Sequence, residues 1–245
     1  MTLRSSIWEQ KFLRFALLER REKQKAVADE LQRLVQPDNL SSMFDEFVEN
    51  TLNSIHHHAD SYIHDNGFDK IVLFQDLKTK MKLRLHLWHP LVIPKMKRLR
   101  QNVHNHRWDF SSAILLGRAE NISYRFADME EDGEEFFHYR YYARGSKECY
   151  DVEELGKTKL ICTKTERVSM GEIYSVDNET LHRVDTPENQ PVATLIIAHE
   201  NMSWVTNDLL SERYLGFKRV TLSSPAMTRQ EIVGKVENLR HQMGI

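Results

Sequence analysis

His104-Asn105-His106-Arg107-Trp108-Asp109-Phe110 sets two histidines two residues apart in strand-like sequence, which runs over residues 103–116 and ends at Gly117. On an extended strand, residues i and i+2 share a face. His104 and His106 therefore project together, Trp108 and Phe110 continue on their side, and Asp109 points the other way. Two imidazoles so placed can take adjacent positions on one divalent cation. A third ligand must come from elsewhere in the chain. His182 is the best candidate, because it follows a Gly171-led strand over 171–176 and a polar turn, Asp177-Asn178-Glu179-Thr180.

Outward from this stretch the period-2 pattern recurs. Residues 70–77, 82–89, 119–126, 136–144, 160–165 and 193–199 read as strands, and Asn66-Gly67 marks the turn at which the pattern begins. Over 82–89, Leu83, Leu85 and Leu87 face one way and Arg84, His86 and Trp88 the other. Many strands with short turns and no interleaved helices predict a sandwich or barrel. If the leucines pack under helices, Arg84, His86 and Trp88 line the interior, and the Arg84 fork can pair with a substrate carboxylate or phosphate.

Both ends are helical in pattern. Trp8, Phe12, Phe15, Leu18, Val27, Leu31 and Leu34 recur at three- and four-residue steps, and Pro37 and Asn39 punctuate that run. A second helix fits 40–55 through Leu40, Phe44, Phe47, Val48, Leu52 and Ile55, with Ser41 or Ser42 as its N-cap. At the other end Thr228-Arg229-Gln230-Glu231 forms a capping box ahead of Ile232, Val233, Val236 and Leu239.

Composition sets outer limits. The 245 residues are 40% hydrophobic, enough for a full core, and the formal charge of −2 argues against nucleic acid or an anionic membrane as partner. The N-terminus alternates apolar with charged residues and no apolar run approaches the length of a span, so neither a signal peptide nor a transmembrane helix is expected. Cys149 and Cys162 are the only cysteines, which predicts a reducing, cytoplasmic setting.

The histidine and glycine spacing resembles the two cupin signatures. In the first, His-x-His is followed by an acidic residue and then glycine, places held here by His104, His106, Phe110 and Gly117. In the second, glycine precedes histidine by eleven, as Gly171 precedes His182. The opening glycine of the first signature falls on Arg98, and the proline and glycine of the second fall on Asp177 and Glu179. The resemblance spans roughly residues 70–200 and implies a jelly-roll barrel with a metal inside. Phenylalanine cannot replace the acidic ligand, so a three-histidine set remains. Among cupins this is similar to the cysteine-dioxygenase-like proteins, as are residues 83–88 and 181–185. That family's histidine and tyrosine on the strand after the third ligand fall on Ile196 and Ala198, its cross-linking cysteine near Phe110 or Ser111, and its carboxylate-clamping arginine near Lys70 or Ile71. Free cysteine is therefore not the expected substrate.

Other candidates read as structural. Arg183 should point away from the metal, Asp109 should be structural, and His199 should end a strand in solvent. The tract His56-His57-His58, with His64 nearby, reads as a polar helix terminus. Lys95, Lys97, Arg98 and Arg100 read as a solvated loop, and the aromatic run from Phe136 to Tyr142 as an edge or interface strand.

The resulting expectation is a mainly β chain, a cupin jelly-roll barrel over 67–222 with an N-terminal helical extension over 1–66 and a C-terminal helix over 223–245. The resemblance implies Fe(II) held by His104, His106 and His182, with Zn(II), Mn(II) or Ni(II) as alternatives. A small thiol- or amine-bearing substrate and O₂ would take the open positions, against Arg84, His86, Trp88, Trp108 and Phe110. The competing readings are a non-catalytic binding cupin and a metal-dependent lyase or isomerase. Cupins commonly dimerise, which makes the helical additions the candidate homodimer interface.

Overall fold

The computed structural model describes residues 5–53, 61–64, 66–90, 100–143, 149–201, 206–216, 218–223 and 226–245. Three helices lead: α1 (Ser5–Ala16), α2 (Arg20–Leu34) and α3 (Pro37–Asn53). The strands β1 (Tyr62–His64), β2 (Phe68–Gln75), β3 (Lys82–Trp88), β4 (Val103–His104), β5 (Trp108–Leu116), β6 (Arg118–Phe126) and β7 (Glu134–Ala143) follow. Next come β8 (Cys149–Ser169), β9 (Ile173–Val176), β10 (Leu181–Asp185), β11 (Val192–Asn201), β12 (Thr206–Ser211), β13 (Arg219–Ser223) and α4 (Arg229–Met243).

Two antiparallel sheets form, in the orders β1-β2-β3-β11-β5-β9 and β13-β8-β6-β10-β4-β12-β7. Followed along the chain, β3, β4, β5, β6, β8, β9, β10 and β11 alternate between them, singly or in pairs. They give a β3-β11-β5-β9 layer facing a β8-β6-β10-β4 layer. That order is a jelly roll, the double-stranded β-helix of cupins, so the expected fold class stands. A further β7–β8 pairing curls the second sheet into a ring of ladders around Val103, Ile122, Tyr124, Phe136, Leu160, Leu181 and Leu210.

The pleat sorts the first sheet into two faces. Leu83, Leu85, Leu87, Leu195 and Ile197 join Phe12, Val27, Leu31, Phe44, Ile232 and Val236 in one core under the helices. Alternate residues, among them Trp88, Phe110 and Ile196, turn to the interior between the sheets. The two signature glycines are turn residues. Gly117 (φ 75°) reverses the chain between β5 and β6, and a Cβ there would meet the Pro191 carbonyl oxygen at 2.6 Å; Gly171 (φ 85°) does the same between β8 and β9.

Several boundaries differ from the sequence reading. The first helical run is two helices, because α1 ends in i→i−3 bonds from Leu17 to Arg14 and from Leu18 to Phe15 with no breaker residue to announce it. The second helix starts at Pro37, whose fixed φ suits a first turn, not at a Ser41 or Ser42 cap. The strand expected over 103–116 is interrupted at 105–107, where the chain crosses from one sheet to the other. Four short strands, β1, β10, β12 and β13, escaped notice, and β1 lies ahead of residue 67. The capping box forms as expected, with Thr228 and Glu231 exchanging hydrogen bonds.

Candidate metal centre

His104 ends β4, His106 sits in the crossover three residues on from Val103, and His182 lies on β10 directly opposite His104 in register. Their side chains meet at the interior. The Nε2 atoms of His106 and His182 are 3.0 Å apart, and one ligand atom from each of the three histidines falls within 4.8 Å of the others. Metal–nitrogen bonds of about 2.0–2.1 Å set at a right angle would put two nitrogens about 3 Å apart. The common face arises from the crossover rather than from an unbroken strand.

Hydrogen bonds fix two of the rings. His104 Nδ1 donates to the Asn102 carbonyl at 3.0 Å and His182 Nδ1 to the Asn121 side-chain oxygen at 2.8 Å, leaving each Nε2 lone pair free to point inward. Burial lowers the pKa of all three. For His106 the neighbouring imidazoles push further down, while for His104 the bond to Asn102 pulls back. Neutral imidazoles with converging lone pairs are the form a cation binds. The donor set therefore fits a divalent metal held by three nitrogens.

Phe110 packs edge-on to His106, with ring centroids 5.1 Å apart, so an apolar ring stands where a fourth ligand could. A cavity of about 150 Å³ opens beside the histidines. Arg84, His86, Trp88, Trp108 and Phe110 all line it, as their parity suggested, and the Arg84 guanidinium lies 4.7 Å from the centre of the Trp108 ring. Arg84 is 5% exposed, which excludes a solvated strand face. Ile196 and Ala198 are buried on the inner face of β11, leaving no imidazole or phenol at those places.

The flanking acids and bases sort as expected in part. Asp109 points outward, where it accepts from Arg20 at 2.6 and 2.7 Å and from the Asn178 backbone N–H. Arg183 turns from the histidines to pair with Glu212 at 2.7 Å. His199 corrects the reading of an exposed strand end: it is buried, 3.5 Å from Ser111 Oγ. His64 corrects another, since it belongs to β1 and lines the cavity stacked on Phe68 at 4.5 Å. Of the rest, Phe136 and Tyr139 are buried rather than at an edge, and Arg100 faces Glu212 at 3.6 Å. His56-His57-His58, Lys95, Lys97 and Arg98 lie outside the described residues.

Asn121, Phe68, Gln101 and Tyr174 also serve the site or its walls without having been singled out, and Tyr141, read as part of an edge or interface strand, lines the cavity. Tyr174 alone carried a usable signal, being in phase with Val176 on the Gly171-led strand. Among the described residues no helix is long and apolar enough to cross a membrane.

No protein-family profile matches the sequence, and no curated protein matches it. Solved structures do share parts of its shape. A cupin-like protein from Thermotoga maritima is 12% identical over 74% of this chain and 95% of its own, with a TM-score of 0.32. A hydroquinone 1,2-dioxygenase chain is 9% identical over 62% and 69%, with a TM-score of 0.32. A chain from the crystal structures of two DMSP lyases is 10% identical with a TM-score of 0.31; the match spans 57% of this chain and about half, 51%, of that one. The jelly roll itself rests on the strand order described above.

Proposed function

We propose that this chain is a mononuclear non-haem Fe(II) oxygenase acting on a small organic metabolite, thiol- or amine-bearing. The observation that carries the reading is the convergence of His104, His106 and His182 with no carboxylate among them. A three-nitrogen set leaves coordination positions open, and the iron would supply activation of O₂ beside a bound substrate. Phe110 keeps the neighbouring position apolar. Arg84, His86, Trp88 and Trp108 form the substrate wall in this proposal, with Arg84 orienting an acidic group through its fork. Burial away from bulk water strengthens each of these polar contacts.

The test is elemental analysis of anaerobically purified protein, native against His106→Ala, followed by oxygen uptake with a panel of thiols and amino acids. Iron at one per chain in the native protein only, with uptake for at least one compound, supports the reading. Iron without uptake for any of them removes the reaction class. A second reading, a small-molecule-binding cupin without turnover, is favoured by apolar Ile196 and Ala198 on the inner face of β11 and predicts ligand-induced thermal stabilisation without product. A third is a metal-dependent lyase or isomerase. There the metal would act as a Lewis acid. Turnover under nitrogen separates it from the oxygenase.

A further inference from the structure

We propose that the cavity selects a small anion with a planar apolar body, of the aromatic carboxylate class. The inference rests on the reading of this cavity as the substrate site, but not on which metal fills it or whether O₂ is consumed.

The first observation is a sorting of charge. Lys70, Arg84 and Arg107 line the cavity, and among the described residues that line it none is Asp or Glu. This is not a lack of acids in the strands concerned. Asp69 stands between Phe68 and Lys70, Asp109 between Trp108 and Phe110, and Asp208 between Asn207 and Leu209, and each of those six neighbours lines the cavity. Strand alternation turns all three carboxylates to the opposite face. Each is met there by a cation, Asp69 by Lys235 at 2.6 Å, Asp109 by Arg20 and Asp208 by Arg140 at 3.0 Å, while His89 and His138 also reach Asp69 and Asp208. The described lining thus carries cations and no carboxylate, in a chain of formal charge −2.

The second observation is the set of donors. Trp88 Nε1 and Gln101 Nε2 are buried on the cavity wall and find no acceptor among the described residues. Buried N–H groups of this kind are ordinarily satisfied, and an anionic oxygen supplies what both lack. The third is the shape of the walls. Phe68, Trp88, Trp108 and Phe110 contribute aromatic rings to the lining, and about 150 Å³ is the scale of a cavity that accepts one benzene ring. Among the described residues of the lining, an ammonium compound without an acidic group finds no carboxylate as counter-charge.

Binding is measured by calorimetry on EDTA-treated protein, so that no carboxylate–metal bond contributes. The probes are benzoate, benzyl alcohol, benzylamine and acetate. Benzoate should bind at least 10-fold more tightly than the other three. Arg84→Gln should weaken benzoate at least 10-fold, and the exposed control Arg118→Gln should leave it unchanged. Because Arg84→Gln removes a buried charge, its fold is checked by circular dichroism, and Trp108→Leu, which should weaken benzoate but not acetate, provides an independent variant. Benzylamine or benzyl alcohol binding as well as benzoate overturns the charge argument. Acetate binding as well as benzoate overturns the planar body. Failure of oxygen uptake with intact benzoate selectivity sinks only the oxygenase, and the reverse result sinks only this inference.

Discussion

On β3, Leu83, Leu85 and Leu87 are at most 4% exposed beneath the helices, whereas Arg84, His86 and Trp88, one step out of phase, line a cavity beside three histidines. The same strand thus builds a core on one side and a polar site on the other. The outer face is held by area removed from water, worth roughly 25 cal/mol per Å². The inner face holds buried nitrogens, His86 Nε2 and Trp88 Nε1, that find no hydrogen-bond partner among the described residues. The difference teaches that this protein keeps stability and chemistry on separate sides of one sheet.

The comparison breaks most sharply at the metal ligands. His106→Ala should abolish stoichiometric metal, a larger loss than the 10–100-fold an outer partner contributes, while the far-UV spectrum stays native. Bound metal measured by elemental analysis decides it. On the outer face the reverse holds: Leu85→Ala should cost about 2–5 kcal/mol in urea unfolding, with metal per folded molecule unchanged. Metal loss in that variant at a temperature where it is folded would show that the two faces are coupled.

Smaller effects sharpen the boundary. Asn121→Leu removes the acceptor for His182 Nδ1 and should weaken metal roughly 10–100-fold, read by competition with a chromogenic chelator. The pH response should also be an inner-face property. Burial, and after it repulsion from Arg84 and Lys70, holds His86 well below 6.5. The unfolded chain therefore binds the proton first, and stability present above pH 6.5 is lost as pH falls below it. The slope attributable to one such histidine reaches up to about 1.4 kcal/mol per pH unit. In metal-free protein His86→Phe should flatten the curve between pH 5 and 6.5 by up to that amount, followed by urea titrations at each pH. Smallest of all, Arg20→Ala strips Asp109 of its two-pronged partner. Because the Arg20 side chain is 46% exposed, the expected loss is about 1 kcal/mol, seen as a lower thermal midpoint.

Much of this division could be read from residue order alone. Period-2 alternation in 82–89 separated the leucines from Arg84, His86 and Trp88, and the spacing of His104, His106, Gly117, Gly171 and His182 led to the converging histidines. Glycine was informative because a positive φ at both turns leaves little else that fits. What stayed hidden depends on pairing across the chain. Asn121 supports His182 from a neighbouring strand, and nothing near either residue announces the contact. His64 was obscured by the histidine tract before it, and the break between α1 and α2 carries no helix-breaking residue. The crossing at 105–107 was missed for a related reason, since local alternation continues across a change of sheet.

That crossing has a mechanical consequence. His104 is the last residue of a strand in one layer, and Trp108 the first of a strand in the other. A cation gripped by His104, His106 and His182 would act as a rivet where the layers part company. Occupancy at 100 times the dissociation constant would add about 2.7 kcal/mol against unfolding, so a chelator would work on this protein as a gentle denaturant.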